Sequence, residues 1–385
     1  MKMIVFAHPE FLQLKSMQRY SQMISEGMTR RGHQVEVWSP RPFFYLLPVP
    51  AVLKKWLGYI DQYAVFPIQV RMQLLDVDWD TLFVFSDQAL GPWVGLVGER
   101  PHIVHCHDFL AQRCALGEIP GLQIGITGQI YQRYIRKGYR WASNFISVSE
   151  KTRADLLLFL DQEPRLSEVV YNGLSPQFQP VPGPQARAVI GQELQQDFSD
   201  GYFLHIGGNH WYKNRSGVLA AYHRWSRLYG NKLPLVLVGE PLSDALSRQL
   251  DTSEWKDEVH LISNINDQSL QMLYAGATAL LFPSIDEGFG WPIAEAMACG
   301  TLVVTTDQAP MTEVAGSAGF MVPAFPAKDG DKIQWADEMA VVMERIFRLS
   351  DNERDFFIQQ GIVNARRFEL NATLDEIEKI YTRLI

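Results

Sequence analysis

Short apolar runs rich in Val, Ile and Phe recur along this chain with helix-like sequence between them, and the series is interrupted once, by the four prolines of Leu174–Pro184. A parallel strand buried on both faces reads as a continuous apolar run, and the next parallel strand is reached only through a crossover helix. In the first series the runs predict strands at Met3–His8, Gln34–Trp38, Thr81–Phe85, His102–His105, Leu122–Thr127, Asn144–Val148 and Val169–Tyr171, with helices such as Ser16–Arg31 and Glu150–Phe159 between them. In the second they predict strands at Tyr202–Ile206, Leu233–Val238, Val259–Leu261, Ala279–Phe282, Leu302–Thr305 and Gly319–Val322, and the sequence from Ala336 onward reads as helix. Pro176, Pro180, Pro182 and Pro184 forbid a regular element in between, so this stretch reads as a linker.

The pattern predicts an α/β chain of two doubly wound, Rossmann-like domains, residues 1–175 and 185–367, facing each other across a cleft. Its 385 residues suffice for two cores at roughly 100–200 residues each. Open α/β sheets take ligands outside the carboxyl ends of their strands, so the residues that follow strands are where chemistry is sought.

Composition narrows the function. Hydrophobic residues at 47% and charged residues at 20% exclude a disordered chain. The net charge of −8 is uneven: residues 1–180 hold 18 Lys+Arg against 16 Asp+Glu, leaving 17 against 27, which is +2 and −10. No general nucleic-acid face is expected from that balance. The first half suits an anionic membrane surface better than the second. Three cysteines without Cys-x-x-Cys spacing support neither a disulfide framework nor a zinc site. The first apolar stretch is too short for a secretory h-region, and a cytoplasmic address is expected.

Three segments carry chemistry. Directly after the run Ala279–Phe282 comes Asp286-Glu287-Gly288-Phe289-Gly290-Trp291-Pro292-Ile293-Ala294-Glu295. Gly288 and Gly290 let backbone approach a ligand, Pro292 sits where a helix can begin, and Glu295 would lie about one turn into that helix. Amides at a helix start meet anions or hydroxyls, and carboxylates accept charge-assisted bonds from a hydroxyl-rich ligand. Two solvated glutamates beside a structural turn are the bland alternative.

The second segment, Gly207-Gly208-Asn209-His210-Trp211-Tyr212-Lys213-Asn214-Arg215, follows the run Tyr202–Ile206. Its glycines allow close backbone approach, and Lys213 and Arg215 are placed to neutralise charge on a leaving diphosphate, unless they are ordinary solvated charges. The third, His105-Cys106-His107-Asp108, closes a buried-type strand. Period-two alternation puts both histidines on one face, with His107 nearer the ligand end. A zinc pair and satisfied structural histidines are the rival readings, and no third zinc ligand stands at useful spacing.

Together these segments resemble the retaining glycosyltransferases of family 4 (glycosyl transferases group 1), whose signature is Glu, seven residues, Glu, and whose fold is the GT-B architecture. The resemblance implies that Glu287 and Gly288-Phe289-Gly290 contact a donor sugar, that Glu295 binds ribose hydroxyls, and that His107 reaches donor sugar or acceptor with Asp108 beside it. The family usually places an Arg just after the glycine pair, where this chain has Asn209, and the Lys role falls on Lys213. Ser147–Thr152, Tyr171-Asn172-Gly173, Thr312–Gly316 and Phe368 with the closing helix Thr373–Leu384 extend the likeness along the chain, and the segment 368–385 is expected to cross back onto the first domain. Many members carry a Gly-Gly turn after the first strand; here His8–Ser16 replaces it, leaving Lys15 and Ser16 at the expected acceptor side.

The implied activity is transfer of a hexose from a UDP- or GDP-sugar to a glycan or lipid-linked acceptor, with no metal and no cofactor. Loops such as Gly239-Glu240 and Ile262-Ser263 are expected to lie near the nucleotide base. An epimerase or phosphorylase of the same fold, or a silent sugar-nucleotide-binding scaffold, would use the same residues. Finally, Pro42–Leu53 is uncharged and apolar, and Lys54-Lys55-Trp56 follow. It is too short and proline-rich to span a bilayer, and reads either as membrane-surface docking or as a buried loop and core helix. The aromatic and basic run Tyr131–Trp141 either assists it or packs as an amphipathic helix.

Overall fold

The computed structural model describes residues 1–385 except Pro120, Gly121, Gln123, Asn231 and Lys232. The chain divides into two compact units, Met1–Tyr171 with Asn371–Ile385, and Asn172–Leu370. Among the described residues each unit holds one six-stranded, all-parallel sheet.

In unit 1 the strands are β1 (Lys2–Phe6), β2 (Gln34–Trp38), β3 (Leu82–Phe85), β4 (His102–Cys106), β5 (Asn144–Ser147) and β6 (Leu166–Val169), in the order β2-β1-β3-β4-β5-β6. The central strands β3, β4 and β5 are buried throughout: β3 is apolar at every position, while β4 and β5 carry the polar His102, His105, Asn144 and Ser147 into the interior. Their core is aromatic: the rings of Phe6 and Phe85 stack at 4.7 Å, and Phe66 meets Trp93 edge-on at 4.7 Å. The closing helix Leu370–Thr382 packs on this unit, with Leu374 so near Gly27 that a Cβ there would lie 2.6 Å from it. Arg31 to Asp375 at 2.7 Å and His33 to Glu378 at 2.6 Å tie the helix further.

Unit 2 contains β7 (Phe203–Ile206), β8 (Leu235–Val238), β9 (Val259–Ile262), β10 (Ala279–Phe282), β11 (Val303–Thr306) and β12 (Phe320–Val322), in the order β12-β11-β10-β7-β8-β9. Its core gathers around Trp225, whose ring meets Phe203 at 5.0 Å and whose Nε1 donates to the buried Glu344 at 2.9 Å.

Three local expectations need correction. Leu122–Thr127 contains no strand among its described residues, and Gln123 lies outside them; a helix runs from Ile126 to Tyr139 instead. Ile126, Ile130 and Tyr134 recur every four residues, a helical period that the local apolar run concealed. The strand expected at Val169–Tyr171 lies earlier, at Leu166–Val169, because a half-buried edge strand tolerates the polar Ser167 and Glu168. The proline stretch is irregular only to Pro182: Pro184 enters the first turn of the helix Gly183–Leu194, where a missing N–H costs nothing.

Candidate functional site

A doubly wound sheet opens a crevice where its strand order reverses. In unit 2 that point lies between the neighbours β7 and β10, and the loops leaving these strands are the two glycine-bearing motifs. They are fastened together, since the Ile285 amide donates to the Tyr212 carbonyl at 2.7 Å. Asn214 takes a left-handed conformation at φ 52°, its Oδ1 accepts from the Gly217 amide to cap the helix Arg215–Tyr229, and its Nδ2 donates to the Pro283 carbonyl at 3.1 Å. The cap therefore holds both loops at once.

The arrangement brings Lys213 and Glu287 together across 74 residues of sequence, Nζ to Oε1 at 2.6 Å. Both side chains are largely buried, at 18% and 10% exposure, so the pair is shielded from solvent screening. The ammonium also lies 5.2 Å from the centre of the Phe282 ring. Gly207 makes room for this lysine: a Cβ at 207 would stand 3.2 Å from the Lys213 Cβ. At Gly239, φ is 142° and a Cβ would meet the Gly207 carbonyl at 2.2 Å, so the loops after β7 and β8 touch backbone to backbone.

Arg215 does not point into solvent. It is 3% exposed, and its Nη1 donates to Asn209 Oδ1 at 3.0 Å and to the Glu240 carbonyl at 2.7 Å. Its Nε and Nη2 are buried without a hydrogen-bond partner, and burial lowers its pKa against the pull of Glu240. Asn209, at the position where an Arg was expected, thus receives a guanidinium from six residues further on; its amide also reaches Glu240 Oε2 at 3.2 Å. Gly208 lies against that same carboxylate, where a Cβ would be 3.2 Å away. The buried His205 donates from Nδ1 to the Leu281 carbonyl at 2.8 Å and leaves Nε2 without a partner. Burial, helped by the charges of Arg215 and Lys213, pushes its pKa down to about 3, so it is neutral.

The helix Trp291–Ala298 starts at Gly290, with φ 101° and Pro292 in the first turn. Glu295 lies within it, 3% exposed, with Oε2 accepting from the Tyr274 hydroxyl at 2.8 Å. Phe289 is buried, its ring against Phe368 at 5.4 Å and Trp291 at 5.8 Å, so only the backbone of Gly288-Phe289-Gly290 is placed to meet a ligand. Ser263 Oγ donates to the Gly239 carbonyl at 2.9 Å, which joins the two loops expected near the base.

In unit 1 the reversal lies between β1 and β3. There His8, beyond β1, meets Asp87, beyond β3, at 2.7 Å. Burial alone would raise the Asp87 pKa, but the bond from His8 and the nearby His107 bring it below the usual carboxylate value. His107, just past β4, is buried; its amide donates to Gln88 Oε1 at 2.8 Å, its Nε2 bonds the Ser86 carbonyl at 2.8 Å, and its ring meets Tyr20 edge-on at 4.3 Å. Asp108 Oδ1 accepts from the Leu110 amide at 3.1 Å. Lys15 and Ser16 are exposed at the start of the helix Lys15–Arg30, the helix that delivers Tyr20 to the two histidines.

His105 is structural. Its Nδ1 and Nε2 lie 2.7 Å from the hydroxyls of Tyr20 and Tyr381, and burial lowers its pKa to about 3. With both ring nitrogens occupied, the zinc-pair reading falls. Among the described residues no three His, Cys, Asp or Glu side chains form a metal-binding group. Sequence reasoning missed Asp87, Ser86, Gln88 and Tyr20. The one available signal was position, because Ser86 to Gln88 directly follow a buried strand, as His107 does.

Known proteins agree with this architecture. Residues 17–178 match Glycosyltransferase Family 4, and residues 190–350 match Glycosyl transferases group 1. The O-antigen chain mannosyltransferase B of Escherichia coli is 28% identical over 59% of this chain, which spans 57% of that protein's length. The phosphatidyl-myo-inositol mannosyltransferase of Mycobacterium leprae is 22% identical over 93% of this chain and 90% of its own. The crystal structure of Anabaena Alr3699/HepE in complex with UDP superposes with a TM-score of 0.72 at 17% identity, covering all of both chains, a likeness of GT-B fold. With one family match on each unit and two of its motifs at the strand-order reversal of unit 2, the chain belongs to the group 1 glycosyltransferases of the family 4 type.

Proposed function

We propose that the chain transfers a hexose from a UDP- or GDP-sugar to a glycan or lipid-linked acceptor, retaining the anomeric configuration and using no metal ion. The observation that carries this reading is the Lys213–Glu287 pair at the strand-order reversal of unit 2, beside a buried Arg215 with two unpartnered donor atoms. A diphosphate leaving group supplies the anionic oxygens that those donors lack. Lys213 and Arg215 stabilise its charge, Glu287 and the backbone of Gly288–Gly290 hold the sugar, and Glu295 takes the ribose hydroxyls. Arg215 performs the part of the arginine usual at position 209.

The C1–O bond to phosphate breaks while the acceptor oxygen bonds to C1 from the same face, and the acceptor proton passes to the departing phosphate oxygen. Charge builds on the sugar ring as in other glycosyl transfer, and positioning with electrostatic stabilisation supplies the rate. The acceptor binds on unit 1, near His107, Asp108, Lys15 and Ser16. Relatives named as mannosyltransferases and a fold neighbour holding UDP make GDP-mannose and UDP-glucose the first donors to try. The three cysteines, none at Cys-x-x-Cys spacing, suit a cytoplasmic, reducing compartment.

The test is incubation with each donor and candidate acceptors in excess chelator, reading nucleoside diphosphate release and the product anomer by NMR. Retention without added metal is expected. An inverted product, dependence on manganese, or conversion of the sugar nucleotide without acceptor contradicts the reading.

A further inference from the structure

One surface of unit 1 is at odds with the rest of the chain. The helix Ala51–Ile60 runs through a single π-helical stretch, Asp61–Val65, into the helix Phe66–Gln73. Such insertions weaken the regular hydrogen-bond ladder and are kept where they aim a residue. Here the residue is Asp61, 1% exposed, whose carboxylate accepts from the amides of Phe43 at 3.1 Å, Phe44 at 2.9 Å and Tyr45 at 2.9 Å. Three amides on one buried carboxylate fix the loop that precedes the helix. The fixed loop holds apolar side chains outward: Phe43 and Leu46 are 70% and 69% exposed, followed on the helix by Val52 at 79% and Trp56 at 53%.

A second helix, Ile126–Tyr139, continues this face. Its Tyr131 stacks on Tyr59 at 5.2 Å and shares a 2.7 Å hydroxyl bond with Tyr63, while Trp56 meets Tyr59 at 5.8 Å. On the same helix as Tyr131, Ile126 and Ile130 are 75% and 61% exposed. Charge follows the same outline. In a chain of net charge −8, residues 39–75 hold Arg41, Lys54, Lys55 and Arg71 against one acid, the buried Asp61. Residues 119–149 hold Arg133, Arg136 and Lys137 and no acid, besides Arg140, which pairs with Asp161 at 2.7 Å. Lys54 and Lys55 lay their stems along aromatic rings, with Nζ 5.1 Å and 5.8 Å from the centres of Tyr45 and Tyr59.

We propose that the clamped loop and these two helices form a docking surface for an anionic lipid bilayer, which they enter to interfacial depth. Exposed apolar side chains with basic ones beside them complement negatively charged head groups over an acyl boundary. No helix among the described residues is long and apolar enough to cross a membrane, so the contact lies in the interface plane. The inference goes beyond the transferase reading and does not rest on it, because lipid binding is measured with no donor present.

The experiment is sedimentation of the full chain with phosphatidylcholine vesicles, with and without phosphatidylglycerol, at low and high salt. Binding that requires phosphatidylglycerol and is lost at high salt is expected, and this arm needs no variant. Lys54→Gln with Lys55→Gln lowers the partition coefficient about thirtyfold at low salt. Phe43→Ser with Trp56→Ser lowers it at least about tenfold at unchanged melting temperature, since neither side chain is buried. Equal binding to neutral and anionic vesicles, no binding to either, or a solution dimer that Phe43→Ser dissolves would each overturn the proposal.

Discussion

Lys213 Nζ and Glu287 Oε1 lie 2.6 Å apart, joined at the point where the strand order of unit 2 reverses. A partly buried pair of this kind adds little net stability, because desolvating two charges offsets most of their attraction, although removing one partner leaves the other stranded. On the proposed reading its value is chemical. Lys213→Ala is expected to lower turnover by about 100- to 1,000-fold, as removal of a donor aimed at developing charge does elsewhere. Steady-state kinetics on Lys213→Ala, Glu287→Gln and the double variant check this, and the two losses should be far from additive.

Arg215 makes the opposite prediction for stability. A guanidinium with buried, unpartnered Nε and Nη2 is costly in the free protein. Arg215→Met should therefore leave the melting temperature unchanged or raised while weakening nucleoside diphosphate binding at least about tenfold. Thermal denaturation beside calorimetric titration measures both. A large drop in melting temperature with unchanged affinity would show a purely structural arginine.

Gly239 admits no side chain. At φ 142°, with a Cβ 2.2 Å from the Gly207 carbonyl, Gly239→Ala must push apart the loops after β7 and β8. A loss of about 2 kcal/mol or more in urea unfolding is expected, together with loss of nucleotide binding.

His105 and His205 set an acid limit. Both have pKa values lowered from 6.5 to about 3, so the unfolded chain binds more protons than the folded one between those values. Stability therefore rises with pH across this window, and is lost as pH falls below about 6.5 towards 3. His205→Gln should flatten this slope by the share of one histidine. Urea unfolding at a series of pH values checks it, and an unchanged slope would mean that His205 is protonated in the fold.

Much of the fold was legible because burial writes itself into sequence. β10 coincides with the run Ala279–Phe282, apolar at every position and buried at every position. The edge strand β6 was misplaced because all four of its residues are only half-buried, so polar Ser167 and Glu168 are tolerated in it. Ile126–Tyr139 was mistaken at its start because a four-residue apolar period is invisible in a six-residue window. The Asp286–Glu295 segment could be found because its glycines, proline and glutamates are contiguous. The His8–Asp87 pair could not, since its members are 79 residues apart and meet only because β1 and β3 are neighbours in the sheet. The same holds for Arg215, whose approach to Asn209 depends on the left-handed turn at Asn214.

Unit 2 is expected to bind a nucleoside diphosphate through Lys213, Arg215 and Glu295. Calorimetric titration with UDP and GDP in excess chelator, on the unmodified chain and on Lys213→Ala and Glu295→Gln, tests it most directly. Micromolar binding of one of the two nucleotides, weakened in both variants, is predicted. No binding of either nucleotide, or binding that the variants leave untouched, would contradict it.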